Sequence, residues 1–241
     1  MKPFSPLLCA LLVWLTPFAA AVAVAQEAYP YVEPTMIYTT ADGETVEETT
    51  FDGDAPLDVH FEARPQNLGD WEARYEWQFT RQGETSPFLT RYEEQTDYRF
   101  TGSGTYQVKL LVTFVKGDDT IEWDEMDAPF TLTFAESKLE VPNAFTPNGD
   151  GINDIFRVKE GHRSILSFKG IIFSRWGKKI FEWTDINSGW DGRTGGKNAP
   201  DGAYYLRIEA KGADGKNYEI KKVINLLRGY SEAGSAGNAT P

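Results

Sequence analysis

The residues best able to bind an ion sit in one short run, Asn148-Gly149-Asp150-Gly151-Ile152-Asn153-Asp154. Side-chain oxygens of Asn148, Asp150, Asn153 and Asp154 alternate with glycines that let the backbone curl. That combination suits Ca2+, which takes roughly six to eight oxygen ligands. The run departs from an EF-hand, because the next glutamate is Glu160 and no helical pattern flanks it. The same residues also suit a turn in which Asn and Asp bond their own backbone amides. Calcium is the one cofactor the sequence raises.

Covalent and acid–base chemistry finds little to work with. No Gly-x-Ser-x-Gly elbow occurs, and the one cysteine, Cys9, lies in the N-terminal apolar run. The two histidines, His60 and His162, fall in different halves of the chain, which argues against a Ser-His-Asp triad or a His-rich metal site. His60 lies between Val59 and Phe61 on an alternating stretch and is expected to face solvent. With 36 acidic residues, some close carboxylate pair is expected in any fold and carries no argument for glycoside hydrolysis. Trp71, Trp77 and Trp123 have faces that stack on sugars, but core packing accounts for them as readily. The chain is expected not to be an enzyme.

Any site must be carried by the chain beyond its leader. Lys2 precedes an apolar stretch from Leu7 to Val24, and Ala23-Val24-Ala25 is the small-x-small pattern cut by a signal peptidase, giving a signal peptide over 1–25. Pro17 and the Ala-rich second half set it apart from a transmembrane anchor, so the mature chain is expected to have no transmembrane segment. That chain also lacks cysteine, so its cores must suffice without disulfides. Charge divides it. Residues 26–137 hold 24 acidic against 7 basic residues, a net of −17, while residues 138–241 hold 12 against 16, a net of +4. The acidic half repels nucleic acid, and no nucleic-acid partner is expected.

The mature chain reads as strands. Leu57, Val59 and Phe61 alternate with polar neighbours, as do Tyr75, Trp77 and Phe79, then Tyr106 to Phe114, then Phe130, Leu132 and Phe134. Turn formers separate these runs, which predicts an antiparallel β-sandwich. The second half opens with linker-like Ser137-Lys138-Leu139-Glu140. Phe168 to Trp183 reads as a hairpin turning at Trp176-Gly177-Lys178. Tyr204, Leu206, Ile208 and Ala210 face one way, and Asp214-Gly215 suggests a two-residue hairpin loop before Tyr218 to Leu227. Gly229 to Pro241 lacks an apolar pattern and reads as a flexible tail. The expected fold class is all-β, two antiparallel β-sandwich (Ig-like) domains in tandem after a cleaved signal peptide. The expected domains are 1–25, 26–137, 138–228 and the tail 229–241.

Two resemblances add to this. In the acidic half, Tyr75-Glu76-Trp77-Gln78-Phe79 followed by Gly104-Thr105-Tyr106-Gln107-Val108-Lys109 resembles the PKD-like, immunoglobulin-type repeats of bacterial surface proteins. In the second half, VPNAFTPNGDGINDIFRV, IIFSRWGKKIFEW, GWDG, PDGAYYLRIEA and KKVINLLR run in order from Leu139 to Arg228. They resemble the gliding-motility-associated C-terminal domain of the Bacteroidetes, the type B sorting domain of the type IX secretion system. The resemblance implies export through the periplasm to the outer membrane and cell surface. It also implies as partners the type IX translocon and an outer-membrane barrel of the PorP/SprF type. Lys178, Lys179, Lys221 and Lys222 are candidate partner contacts, or else guards against strand-edge pairing. The chain is then expected to be non-enzymatic cargo. The alternatives are a small regulator of the PorA kind that signals secretion status to a signalling protein, and a module that binds surface polysaccharide.

Overall fold

The structure, a computed structural model, describes residues 29–124 and 128–229. The expected signal peptide at 1–25 and the tail beyond Gly229 lie outside the described residues. In chain order the acidic half forms β1 (Tyr31–Val32), β2 (Thr35–Thr39), β3 (Thr45–Glu47), β4 (Thr50–Gly53), β5 (Leu57–Glu62), β6 (Pro65–Gln66), β7 (Glu72–Arg81), β8 (Leu89–Arg91), β9 (Gln95–Phe100), β10 (Gly104–Lys116), β11 (Asp119–Trp123) and β12 (Phe130–Phe134). One sheet has the order β4-β12-β10-β7-β8, with β11 also pairing β10, and it faces a second sheet of order β3-β2-β5-β9. All pairings in it are antiparallel except β12 with β4.

Strict alternation builds the core of this sandwich. Along β10, Tyr106, Val108, Leu110, Val112 and Phe114 are buried while the residues between them are not. Phe61 on β5 reaches across to the other sheet, with ring centroids 5.7 Å from Trp77, 5.5 Å from Phe79 and 5.8 Å from Phe130. A buried aromatic ring of this kind contributes about 1.5–3 kcal/mol through the area it removes from water. Such a set explains how a cysteine-free module holds together.

The second half forms β13 (Ala144–Phe145), β14 (Phe156–Arg157), β15 (Ile165–Phe173), β16 (Lys179–Trp183), β17 (Gly189–Trp190), β18 (Arg193–Thr194), β19 (Lys197–Asn198), β20 (Gly202–Gly212) and β21 (Asn217–Leu226). Five of these make one sheet in the order β13-β21-β20-β15-β16. Phe156 and Trp190 of the two-stranded ribbon β14–β17 pack into the same cluster as the sheet's buried residues, while the ribbon β18–β19 is exposed. The fold is all-β, with no helix among the described residues.

Both hairpins of this sheet turn by one device. Ser174 N–H donates to the Lys178 carbonyl and Gly177 N–H to the Ser174 carbonyl, with Gly177 at φ 78°; Gly212, Lys216 and Gly215 (φ 82°) repeat the pattern. Each is a three-residue loop with glycine in the left-handed region, which adds the bulge residue. The loop after β20 is therefore Ala213-Asp214-Gly215, one residue longer than its Asp-Gly pair suggests.

Among the described residues there are two hydrophobic clusters, one running from Val32 to Phe134 and the other from Leu139 to Leu226. Between them, Ser137 is held rather than tethered. Its Oγ donates to Asp214 Oδ1 at 2.7 Å, its amide to Asp214 Oδ2 at 3.1 Å, and Tyr218 Oη donates to its carbonyl at 2.9 Å. The buried Ser164 accepts the Ala55 amide, and Ser103 N–H donates to the Ala213 carbonyl. The stretch that reads as a linker is thus fastened to the β20–β21 hairpin loop.

Candidate functional site

The loop after β13 gathers the four candidate cation ligands into one turn. Asp154 accepts the Gly149 amide on Oδ1 at 2.7 Å and the Gly151 amide on Oδ2 at 2.8 Å. Asn148 Oδ1 accepts from Asp150 N–H at 3.0 Å, and Asp150 Oδ1 accepts from Ile152 N–H at 2.8 Å. Asn153 contributes its carbonyl to the Thr146 amide at 2.8 Å. The two glycine amides hold the Asp154 carboxyl below the usual carboxylate range. The side chains of Asp150 and Asp154 are thus engaged by the loop's own amides, as a turn built from Asx bonds requires.

The aromatic landmarks of the second half resolve into packing. Phe145, Phe156, Trp190 and Tyr204 come from three separate motifs and meet in one buried cluster. Ring centroids lie 5.7 Å apart for Phe145–Phe156, 5.3 Å for Phe145–Trp190 and 5.0 Å for Trp190–Tyr204. Their polar atoms are satisfied, as Trp190 Nε1 donates to the Arg193 carbonyl at 2.7 Å and Tyr204 Oη to the Pro200 carbonyl at 2.6 Å. Trp183 lies across Gly170, whose missing side chain leaves room for the indole. Arg228 closes the module by donating to the Ala199 and Gly192 carbonyls at 2.6 Å each.

The four candidate lysines do not come together. Lys178 and Lys179 flank the start of β16 at one edge, and β15 and β20 stand between them and β21, which carries Lys221 and Lys222. Lys179 is paired with Glu182 at 2.8 Å and Lys221 with Glu219. Lys222 occupies the inner-face phase of β21, and its ammonium donates to Asn143 and the Val141 carbonyl. It fastens the Val141-Pro142-Asn143 strand entry to the sheet.

Sequence periodicity gave no sign of the sheet's outer face. There Lys179, Phe173, Tyr205 and Val223 stand opposite one another across four strands, followed by a second row of Glu182, Ile171, Arg207 and Lys221. The available signal was apolar residues in both phases of one strand, as in Tyr204-Tyr205 on β20 and Val223-Ile224 on β21. In the acidic module, Trp77 and Trp123 are buried and Trp71 packs against the same core, so none presents an open ring. His60 faces outward from β5, with Nδ1 2.8 Å from Asp97 and Nε2 3.3 Å from Glu62. Among the described residues no group of three or more His, Cys, Asp or Glu side chains is placed to hold a metal ion.

Residues 139–226 match the model of the CHU_C Type IX secretion signal domain. The C-terminal module belongs to that family. The match runs from Leu139 to Leu226, the last residue of β21, and so takes in every strand of the five-stranded sheet and both two-stranded ribbons. It leaves the acidic module outside. No curated protein matches the chain. Among solved structures, one described as "Crystal structure of tetra-tandem repeat in extending region of large adhesion protein" is similar at 9% identity over 84% of this chain and 68% of that chain, with a TM-score of 0.24. At that score the likeness carries no argument. The chain therefore carries a type IX secretion signal, a domain that implies export and contact with the type IX machinery. No described helix is long and apolar enough to cross a membrane.

Proposed function

We propose that this chain is non-enzymatic cargo of the type IX secretion system. Residues 138–228 act as its sorting domain, and the acidic PKD-like sandwich of 26–137 is the part displayed at the cell surface. The family match over 139–226 carries this reading. It falls on a module with its own hydrophobic cluster, which can be presented to a receptor without the sandwich unfolding. The lack of cysteine and the single histidine in residues 26–137 support a binding or structural role for the displayed part. The receptor expected for a domain of this type is an outer-membrane barrel of the PorP/SprF kind.

The test is removal of residues 139–228 from the chain in a host with an active type IX system. The sandwich should then accumulate in the periplasm, detected by fractionation and blotting. Undiminished appearance at the surface or in the medium would overturn the proposal. A regulatory role is separated by deleting the gene, since loss of other cargo's secretion marks a component of the system and unchanged secretion marks cargo.

A further inference from the structure

We propose that the outer face of the C-terminal sheet around Trp176, Tyr205 and Val223 is the surface by which the module docks on an acidic protein surface of the export machinery. This rests on the export reading and deepens it by naming the face and the charge of its partner.

Packing explains most aromatic landmarks of the module and leaves two unexplained. Phe145, Phe156, Trp190 and Tyr204 are buried together, whereas Trp176 is 81% exposed and Tyr205 51% exposed. Val223, directly opposite Tyr205 on β21, is 48% exposed. Phe173 stands opposite Tyr205 on its other side, and the loop carrying Trp176 begins at the next residue. Strands about 4.8 Å apart make the row from Phe173 to Val223 about 10 Å wide. Scattered apolar side chains are ordinary on a surface, but a contiguous row with an exposed indole beside it marks an interaction site. Trp, Tyr and Arg are also the residue types that carry most binding energy at protein interfaces.

The surrounding charge selects the partner. Lys179, Arg207 and Lys221 stand on the same face as the row, and Arg175 and Lys178 lie in the hairpin loop that carries Trp176. Lys179, Arg207 and Lys221 have carboxylate partners in Glu182, Glu209 and Glu219. Arg175 and Lys178 have no ion-pair partner among the described residues, and the Arg175 guanidinium lies over the Trp176 ring at 4.9 Å. A partner that covers the indole and supplies carboxylates to these two cations completes the site.

Position agrees with charge. The acidic module is fastened at Ala213 and Asp214, the far end of β20 from Tyr205. Seven residues of strand at about 3.3 Å each put about 23 Å between them. An acidic receptor would repel the −17 half and attract this end of the +4 half, which orients the chain with its sorting domain leading.

The experiment compares full-length chains in a host with an active type IX system: wild type, Trp176→Ala with Tyr205→Ser, Arg175→Glu with Lys178→Glu, and the 139–228 deletion. The exposed-face variants should melt with the wild type when purified, accumulate normally in the periplasm, and reach the surface roughly tenfold less or worse, as expected for loss of central interface side chains. Normal surface delivery of both variants beside a blocked deletion would overturn the docking face and leave the sorting reading intact. Normal delivery of the deletion would remove the sorting reading and this proposal with it. Two other occupants are checked with purified wild-type chain. Trp176-dependent sedimentation with phosphatidylethanolamine/phosphatidylglycerol vesicles, or a dimer in analytical ultracentrifugation that the Tyr205→Ser change abolishes, would replace the acidic protein partner and overturn the proposal.

Discussion

Arg228 shows how a single side chain past the last strand can close a module. Its planar fork serves two carbonyls, Ala199 and Gly192, and its own amide donates to Asp201 at 2.9 Å. Arg228→Ala leaves both carbonyls to water or to nothing, at a cost of about 1–3 kcal/mol, read as a lowered midpoint in urea. Arg228→Lys should recover part of that loss, because an ammonium lacks the fork that reaches both oxygens. Gly170→Ala places a methyl group inside the Trp183 ring and should destabilise by about 1–3 kcal/mol, since the core must move to admit it. The loop at 148–154 gives a sharper contrast. Asp154→Ala removes the acceptor of two backbone amides and should lower the melting temperature by the same amount with calcium and with EDTA. A loss seen only with calcium would instead establish a cation site. The sequence places these residues in one loop and suits both a cation site and a turn bonded to its own amides; residue spacing alone does not choose between the two.

Strand periodicity was legible wherever one face alone is apolar. Val59 and Phe61, Trp77 and Phe79, and the five inward residues of β10 alternate as the core requires. Other strands were not legible, for physical reasons. In β9 the inward positions are Thr96, Tyr98 and Phe100, with Thr in place of a hydrophobe. In β11 only Ile121 and Trp123 alternate inward, too short a run to stand out, and Trp123 is set by its pairing with Val112. The outer face of the β3-β2-β5-β9 sheet carries a polar ladder. Arg64 donates to Glu47 and Glu62, Glu62 lies beside His60, and His60 beside Asp97, with the Arg99–Asp58 pair close by. Asp97 above all, then Glu62, raises the His60 pKa against the opposing effect of burial. A raised folded-state value means the contribution is present below the ordinary histidine value of 6.5 and lost as pH rises through the folded value. The wild-type advantage over His60→Gln in melting temperature should therefore be largest on the acid side of 6.5 and vanish toward alkaline pH. An advantage that grows with pH would contradict the ladder.

At the scale of the whole molecule, the joint and the charge division act together. Ser137, Asp214 and Tyr218 fasten the two halves, and Ser137 above all holds the Asp214 carboxyl below its ordinary range. Asp214→Ala should expose the 135–140 stretch to limited proteolysis while leaving each half folded; unchanged cleavage would mean that the joint does not depend on this carboxylate. The charge division was legible by counting, and so were the landmarks of the sorting domain, because each is a run of neighbouring residues. The outer face of its sheet was not, because its row is assembled from β15, β20 and β21 across strands far apart in sequence. The most direct measurement of the central claim is transfer. A periplasmic reporter with a signal peptide is extended by residues 138–228 and followed in a host with an active type IX system. Reporter should appear at the surface or in the medium, and this delivery should be lost when the type IX translocon is inactivated. Reporter that stays in the periplasm while the intact chain is exported would contradict a sorting role for the C-terminal module.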